Sequence, residues 1–205
     1  MQWTEVTMRQ ETGSNQLLDN KKVSIQVKLG GLSFSADKVA VSEDIENVEF
    51  IIDTPRVILA PREAVSLDNA AALLRLAGKA CRLEEHSVCS ELQADIVAIM
   101  AINRDALTAI IERWGSKASF TSPLLDMRHS EDNCITIDAT EKVCYIRRFE
   151  DGLQYAAAEE YATAEDILFF VTEQSNGRTD IPIYIKGGAN CVKLLRKYYK
   201  QVICE

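Results

Sequence analysis

Residues Ile181 to Tyr199 read IPIYIKGGANCVKLLRKYY: a short apolar strand, two glycines, then an amphipathic helix. A strand that stops at Gly-Gly and opens a helix gathers unpaired backbone N–H groups and the positive end of a helix dipole at one point. That arrangement suits a phosphate or a carboxylate. Lys186, Gly187 and Gly188 are therefore candidate ligand-binding residues, although strand-to-helix glycines also serve simple packing. The flanking residues add no catalytic signature.

Working outward, Thr163-Ala164-Glu165-Asp166 opens a helix, with Thr163 capping the amide near Asp166 and acidic side chains on the positive end. Ile167, Leu168, Phe170 and Val171 supply its buried side. Three strands precede it. The first runs from Cys134 into Asp138-Ala139-Thr140-Glu141, the second covers Val143 to Arg147, and the third covers Leu153 to Ala158 after Asp151-Gly152. Val202-Ile203-Cys204 closes the chain as a short strand.

The earlier part shows a similar order. Val23, Ile25, Val27 and Leu29 alternate with polar neighbours, Gly30-Gly31 follows, and Leu32, Phe34 and Ala36 resume the alternation, the pattern of a hairpin closed by two glycines. Val48 to Ile52 is expected to complete the meander, ended by Asp53-Thr54-Pro55. A short strand, Val57 to Ala60, precedes Pro61. Leu67, Ala70, Ala71, Leu74 and Ala77 then recur at helical spacing from Ser66, and Gly78 ends that helix. Strands return at Ser87 to Leu92 and at Ile96 to Ile102, a continuous apolar run suited to a central strand covered on both faces. Asn103 caps the next helix, which places Leu107, Ile110, Ile111 and Trp114 on one face and stops at Gly115.

The chain thus reads as two successive copies of three meandering strands, a helix, a strand and a helix. The expected division is a polar arm over 1–21, one unit over 22–125 and a second over 126–205. No sequence repeat accompanies the repeated order.

Composition narrows the function. At 205 residues the chain can bury roughly 70% of the surface its unfolded form exposes. A net charge of -8 argues against a nucleic-acid surface, which needs clustered Lys and Arg. The basic cluster Lys193, Arg196, Lys197 and Lys200 reads as a solvated helix face. The longest uncharged apolar run, Ile96 to Ile102, is too short to span a bilayer, and no secretory signal opens the sequence, so a cytoplasmic protein is expected. Six scattered cysteines show no Cys-x-x-Cys pair and read as reduced, buried thiols. His86 lies in an acidic stretch and His129 near the junction of the units, and neither suggests a triad. Glu159-Glu160 and Glu165-Asp166 bracket a helix start, where capping explains them. Rossmann and P-loop glycine patterns do not occur.

Two tandem units of this order resemble the actin-like ATPase fold, an α/β architecture of two ribonuclease H-like subdomains with mixed sheets flanked by helices. In that superfamily a hairpin opening each half clamps phosphate and a strand ending in Gly-Gly turns at the nucleoside. The matching positions are Lys28-Leu29-Gly30-Gly31, Asp138-Ala139-Thr140-Glu141 and Ile185-Lys186-Gly187-Gly188-Ala189. More closely, KVSIQVKLGGLSF, VILAPREAV, YATAEDILFFV and IPIYIKGG look like a family of uncharacterised Bacteroidales-type proteins carrying this fold, over roughly Lys22 to Tyr199. The resemblance implies Gly30, Gly31, Asp138, Thr140, Lys186, Gly187 and Gly188 as ligand-binding positions.

The departures decide what is expected of them. Nucleotide hydrolysis in the superfamily needs a carboxylate in the first hairpin to hold the metal, whereas the first strand here offers Gln26 and Lys28. In the second hairpin Ala139 stands where a glycine would let backbone amides approach phosphate, and Glu141 adds a like charge. The expectation is a non-catalytic module without a cofactor or metal, acting on an unidentified protein partner or a second copy of itself. The alternative is a nucleotide-dependent ATPase or kinase-like enzyme using Asp138, Thr140, Gly187 and Gly188. A ribonuclease H-type nuclease ranks last, because Asp138 alone among the carboxylates is placed on a central strand.

Overall fold

The computed structural model describes residues 22–27 and 47–205. The Gly30-Gly31 hairpin and the expected polar arm lie outside the described residues.

Strand β1 (Lys22–Val27) pairs with β2 (Asn47–Ile52), and the two run parallel, with Ile25 opposite Phe50 and Val27 opposite Ile52. This corrects the expected meander: β2 cannot be its third strand. Parallel neighbours need a crossover of a dozen or more residues, and the 19 residues 28–46 supply that length.

Strand β3 (Val57–Pro61) leads through a single helical turn to α1 (Ala70–Leu76). The helix starts later than the apolar spacing implies. The Asn69 side chain accepts from the Ser66 N–H and donates to the Ala64 carbonyl, so residues 66–69 form a side-chain-closed turn ahead of it. Gly78, at φ +74°, ends α1 in the left-handed conformation. Strands β4 (Glu85–Cys89) and β5 (Ile96–Asn103) follow, and the three strands form a separate antiparallel sheet in the order β3-β5-β4. Its middle strand is β5, buried from Val97 to Ile102. One face of it joins the main core through Ala98, Met100 and Ile102, while Ile99 on the other packs under Ala70 and Leu74 of α1. The run expected to be central and covered on both faces is so.

Helix α2 (Arg104–Trp114) begins where the Asn103 side chain accepts from the N–H groups of Asp105 and Ala106. It buries Ala106, Ile110 and Trp114, leaves Ile111 47% exposed, and sets the Trp114 ring edge-on to Phe50 at 5.1 Å. Strand β6 (Ala118–Thr121) then adds to β2 in parallel, completing the sheet β1-β2-β6.

After a turn over Pro123–Leu125, strands β7 (Cys134–Ala139), β8 (Val143–Phe149) and β9 (Leu153–Glu160) form the expected antiparallel meander. Helix α3 (Ala164–Ser175) opens on a complete capping box: the Thr163 hydroxyl accepts from the Asp166 N–H while the Asp166 carboxylate accepts from the Thr163 N–H. Strand β10 (Ile183–Gly187), helix α4 (Ala189–Leu195) and β11 (Val202–Cys204) finish the chain, giving the order β11-β10-β7-β8-β9. Strands β7, β10 and β11 are mutually parallel, as β1, β2 and β6 are.

The alternation along β7 and β8 divides the second core. Ile135, Ile137, Cys144 and Ile146 face α3 and α4 together with Ile183 and Ile185 of β10. On the opposite face Val143, Tyr145 and Ala158 join the core that holds Val27, Phe50, Ile52 and Trp114. The two halves therefore share one apolar layer.

Candidate functional site in the seam between the halves

The strand ends of the second half bring together the residues that the sequence nominates. Register places Lys186 of β10 beside Asp138 of β7, and Gly187 beside Ala139. Thr140 follows at once. Gly30 and Gly31 lie outside the described residues.

Asp138 is buried, and both of its oxygens are engaged. Its Oδ2 accepts from Arg147 Nη2 at 2.5 Å, and its Oδ1 lies 3.8 Å from the Lys186 ammonium. Arg147, two residues along β8 from Tyr145, is itself buried and satisfied on all sides. Its Nε donates to the Thr136 hydroxyl at 2.7 Å and its Nη1 to the Pro123 carbonyl. A desolvated guanidinium fixed by Thr136, Asp138 and the Pro123 carbonyl holds the carboxylate in a charge-assisted pair. Pro123 lies in the segment that joins the halves, so this pair also ties that crossover to the sheet.

A second link closes the seam. Asp53, just past β2, is buried, and its Oδ1 accepts from the Tyr145 hydroxyl at 2.8 Å and from the Thr140 hydroxyl at 3.1 Å. The Tyr145 oxygen in turn accepts from the Thr54 N–H at 2.7 Å. Burial, and then the adjacent Asp53 charge, push the Tyr145 phenol far above its usual range, so it stays protonated and donates. The Asp53 backbone N–H donates to the Val27 carbonyl, which holds the Asp53 backbone against β1.

The glycines have a packing reason. Gly187 has φ +77°, and a Cβ there would lie 2.2 Å from the Ala139 carbonyl oxygen; at Gly188, φ +57°, a Cβ would lie 3.0 Å from the Ala139 methyl. The Gly188 carbonyl accepts from the Cys191 and Val192 N–H groups. Helix α4 spans only seven residues, less than the amphipathic helix expected through Tyr199. Beyond it the N–H groups of Lys197 and Tyr198 bond three residues back, a tighter turn. Lys193, Arg196, Lys197 and Lys200 are exposed around it.

The other carboxylate pairs have structural partners. Glu159 meets Lys79 at 3.0 Å, Glu160 meets Arg82 at 4.0 Å, and Asp166 serves the capping box. The six cysteines are unbridged, but they are not uniformly buried: Cys81 and Cys89 are half-buried and Cys204 is exposed. The fold family implies a Mg²⁺ beside the phosphates, and the described residues do not fit one. Asp138 is already neutralised by two cations, Asp53 accepts from two hydroxyls, and Gln26 is a neutral amide. Among the described residues no His, Cys, Asp and Glu cluster could hold a metal, and no helix is long and apolar enough to cross a membrane.

Sequence reasoning missed Asp53, Tyr145 and Arg147. A signal existed for the last: Val143 to Phe149, VCYIRRF, sets an arginine among residues that alternate into two cores, and a cation so placed requires a buried anion.

Comparison with solved structures locates the architecture. A Bacteroides thetaiotaomicron protein with an actin-like ATPase fold and unknown function superposes with a TM-score of 0.65 at 21% identity, covering 78% of this chain and 69% of its own. The fold is actin-like. Looser matches are the AlfA filament bound to AMPPNP (TM-score 0.36, 15% identity, 76% of this chain and 52% of that one) and the cytoplasmic domain of EpsL, an inner membrane component of the Vibrio cholerae type II secretion system (TM-score 0.37, 10% identity, 69% and 62%). No protein-family model matches the chain, and no curated protein matches it in sequence.

Proposed function

We propose that this chain is a non-catalytic actin-like module that acts by binding a protein, with a nucleotide cleft degenerated into a structural seam. The observation that carries the reading is the double engagement of Asp138. Arg147 and Lys186 supply the positive charge that a metal and its phosphates would otherwise share with that carboxylate. Thr140 is likewise engaged by Asp53. On this reading the units are 22–125 and 126–205, the protein is cytoplasmic and bacterial, and it belongs with the uncharacterised Bacteroidales-type family that its framework runs resemble.

The competing reading, a nucleotide-binding ATPase or kinase-like enzyme, draws on Thr140, Lys186, Gly187 and Gly188 standing at one sheet end. Isothermal titration with ATP and ADP, each with Mg²⁺, separates the two. The expected result is no heat from protein whose circular dichroism shows it folded. Binding that Thr140→Val or Gly188→Val abolishes, with magnesium-dependent turnover, overturns the proposal. Light scattering across a concentration series then tests whether the partner is a second copy of the chain.

A further inference from the structure

The segment between β6 and β7 carries a second polar cluster, built around His129. The His129 ring stacks on Tyr184 of β10, with centroids 3.9 Å apart and planes 19° from parallel. Its Nδ1 lies 2.9 Å from Asp132 Oδ2 and its Nε2 lies 2.8 Å from Glu205 Oε1. Arg128 completes the cluster, donating to both Asp126 oxygens and, at 3.1 Å, to Glu205 Oε2. The Glu205 N–H donates to the Ile185 carbonyl, prolonging the ladder between β10 and β11.

An ionised carboxylate only accepts hydrogen bonds, and a neutral imidazole has a single N–H. Both contacts of His129 are therefore satisfied only when both ring nitrogens carry protons. In the neutral ring one nitrogen lone pair faces a carboxylate oxygen. We propose that His129 is a protonation-dependent latch: its imidazolium, anchored by Asp132 and stacked on Tyr184, fastens the short edge strand β11 onto β10 through Glu205, and loss of one proton removes one of its two charge-assisted bonds and weakens that edge.

The groups around the ring are consistent with this. Asp126, Arg128 and Asp132 come from its own segment and Tyr184 from β10, Glu205 directly follows β11, and Arg147 of β8 and Asp138 of β7 act on Asp126 and Arg128 from the sheet. The Cys134 thiol of β7, beside the cluster, is pushed up to about 11, first by burial and then by Asp132. Burial alone would lower the His129 pKa, but the hydrogen bonds to Glu205 and Asp132 outweigh it and raise it above 6.5. A raised folded-state value means that the stabilisation is complete below the unfolded value near 6.5 and is lost as pH rises through the folded one. Arg128 remains charged throughout and keeps one tie to Glu205.

Hydrogen exchange of the full chain from pH 6 to 9, corrected for intrinsic rates, tests the latch. Protection of the peptide 201–205 should fall with pH, by up to about tenfold for each unit of elevation in the His129 pKa, while the β8 peptide stays flat. His129→Gln should leave 201–205 weakly protected at every pH, and Asp132→Asn should move the fall to lower pH. Flat protection in the wild type, no protection at any pH, or an unchanged fall in His129→Gln overturns the proposal. An NMR titration of the wild-type His129 ring keeps the test independent of folding in the variants: a midpoint at or below 6.5 also overturns it.

Discussion

Arg147 and Asp138 form a desolvated ion pair between neighbouring strands of the second sheet. Because both charges are desolvated, removing one leaves the other uncompensated, at a cost of about 3–5 kcal/mol. Asp138→Ala should lose that much in urea denaturation. Asp138→Leu combined with Arg147→Met should recover most of it, since a well-packed apolar pair of similar volume is often no worse than a buried ion pair. Gly187 offers a test of backbone rather than charge. At φ +77°, with a Cβ only 2.2 Å from the Ala139 carbonyl oxygen, Gly187→Ala should cost more than the roughly 1–2 kcal/mol of left-handed strain alone, again read from urea midpoints. The sequence nominated Gly187 for a ligand because strand, Gly-Gly and helix are all it displays there. A further constraint on Gly187 is the parallel neighbour Ala139, 48 positions earlier, which no local pattern reveals.

Legibility at the level of elements followed the range of the interactions that define each one. The capping box at Thr163 is local, so α3 was readable. Thr163→Ala should cost about 1 kcal/mol and lower the melting temperature measured by circular dichroism. The meander β7-β8-β9 was equally plain, because its turns lie within the stretch that alternates. Strand β2 was located but its neighbour was misread: alternation fixes which face is buried and says nothing about which strand lies alongside, and β2 pairs directly with β1. The antiparallel sheet β3-β5-β4 was likewise visible strand by strand, but not as a sheet of its own set between β2 and α2. For the same reason the true correspondence between the halves, β1-β2-β6 with β7-β10-β11, differed from the repeat of element order read along the chain.

Across the whole molecule the halves are joined by Tyr145, whose ring lies in the shared apolar layer and whose hydroxyl bridges Asp53 and Thr54. Tyr145→Phe keeps the packing but leaves a buried donor and a buried carboxylate each one partner short. The loss should be about 1–3 kcal/mol in global stability, with no accompanying change in nucleotide titration. The interposed strands β3, β4 and β5 also separate β2 from β6 along the chain. The first half closes β2 on β6 only after the chain between them has looped back, and the Ser119 hydroxyl to Val48 carbonyl contact spans 71 positions. The meander β7-β8-β9 closes through adjacent turns and needs no such loop. Because loop closure must be achieved before distant pairings repay it, the carboxy-terminal strands should gain protection first in pulse-labelled refolding, and β1-β2-β6 should be the last sheet to appear.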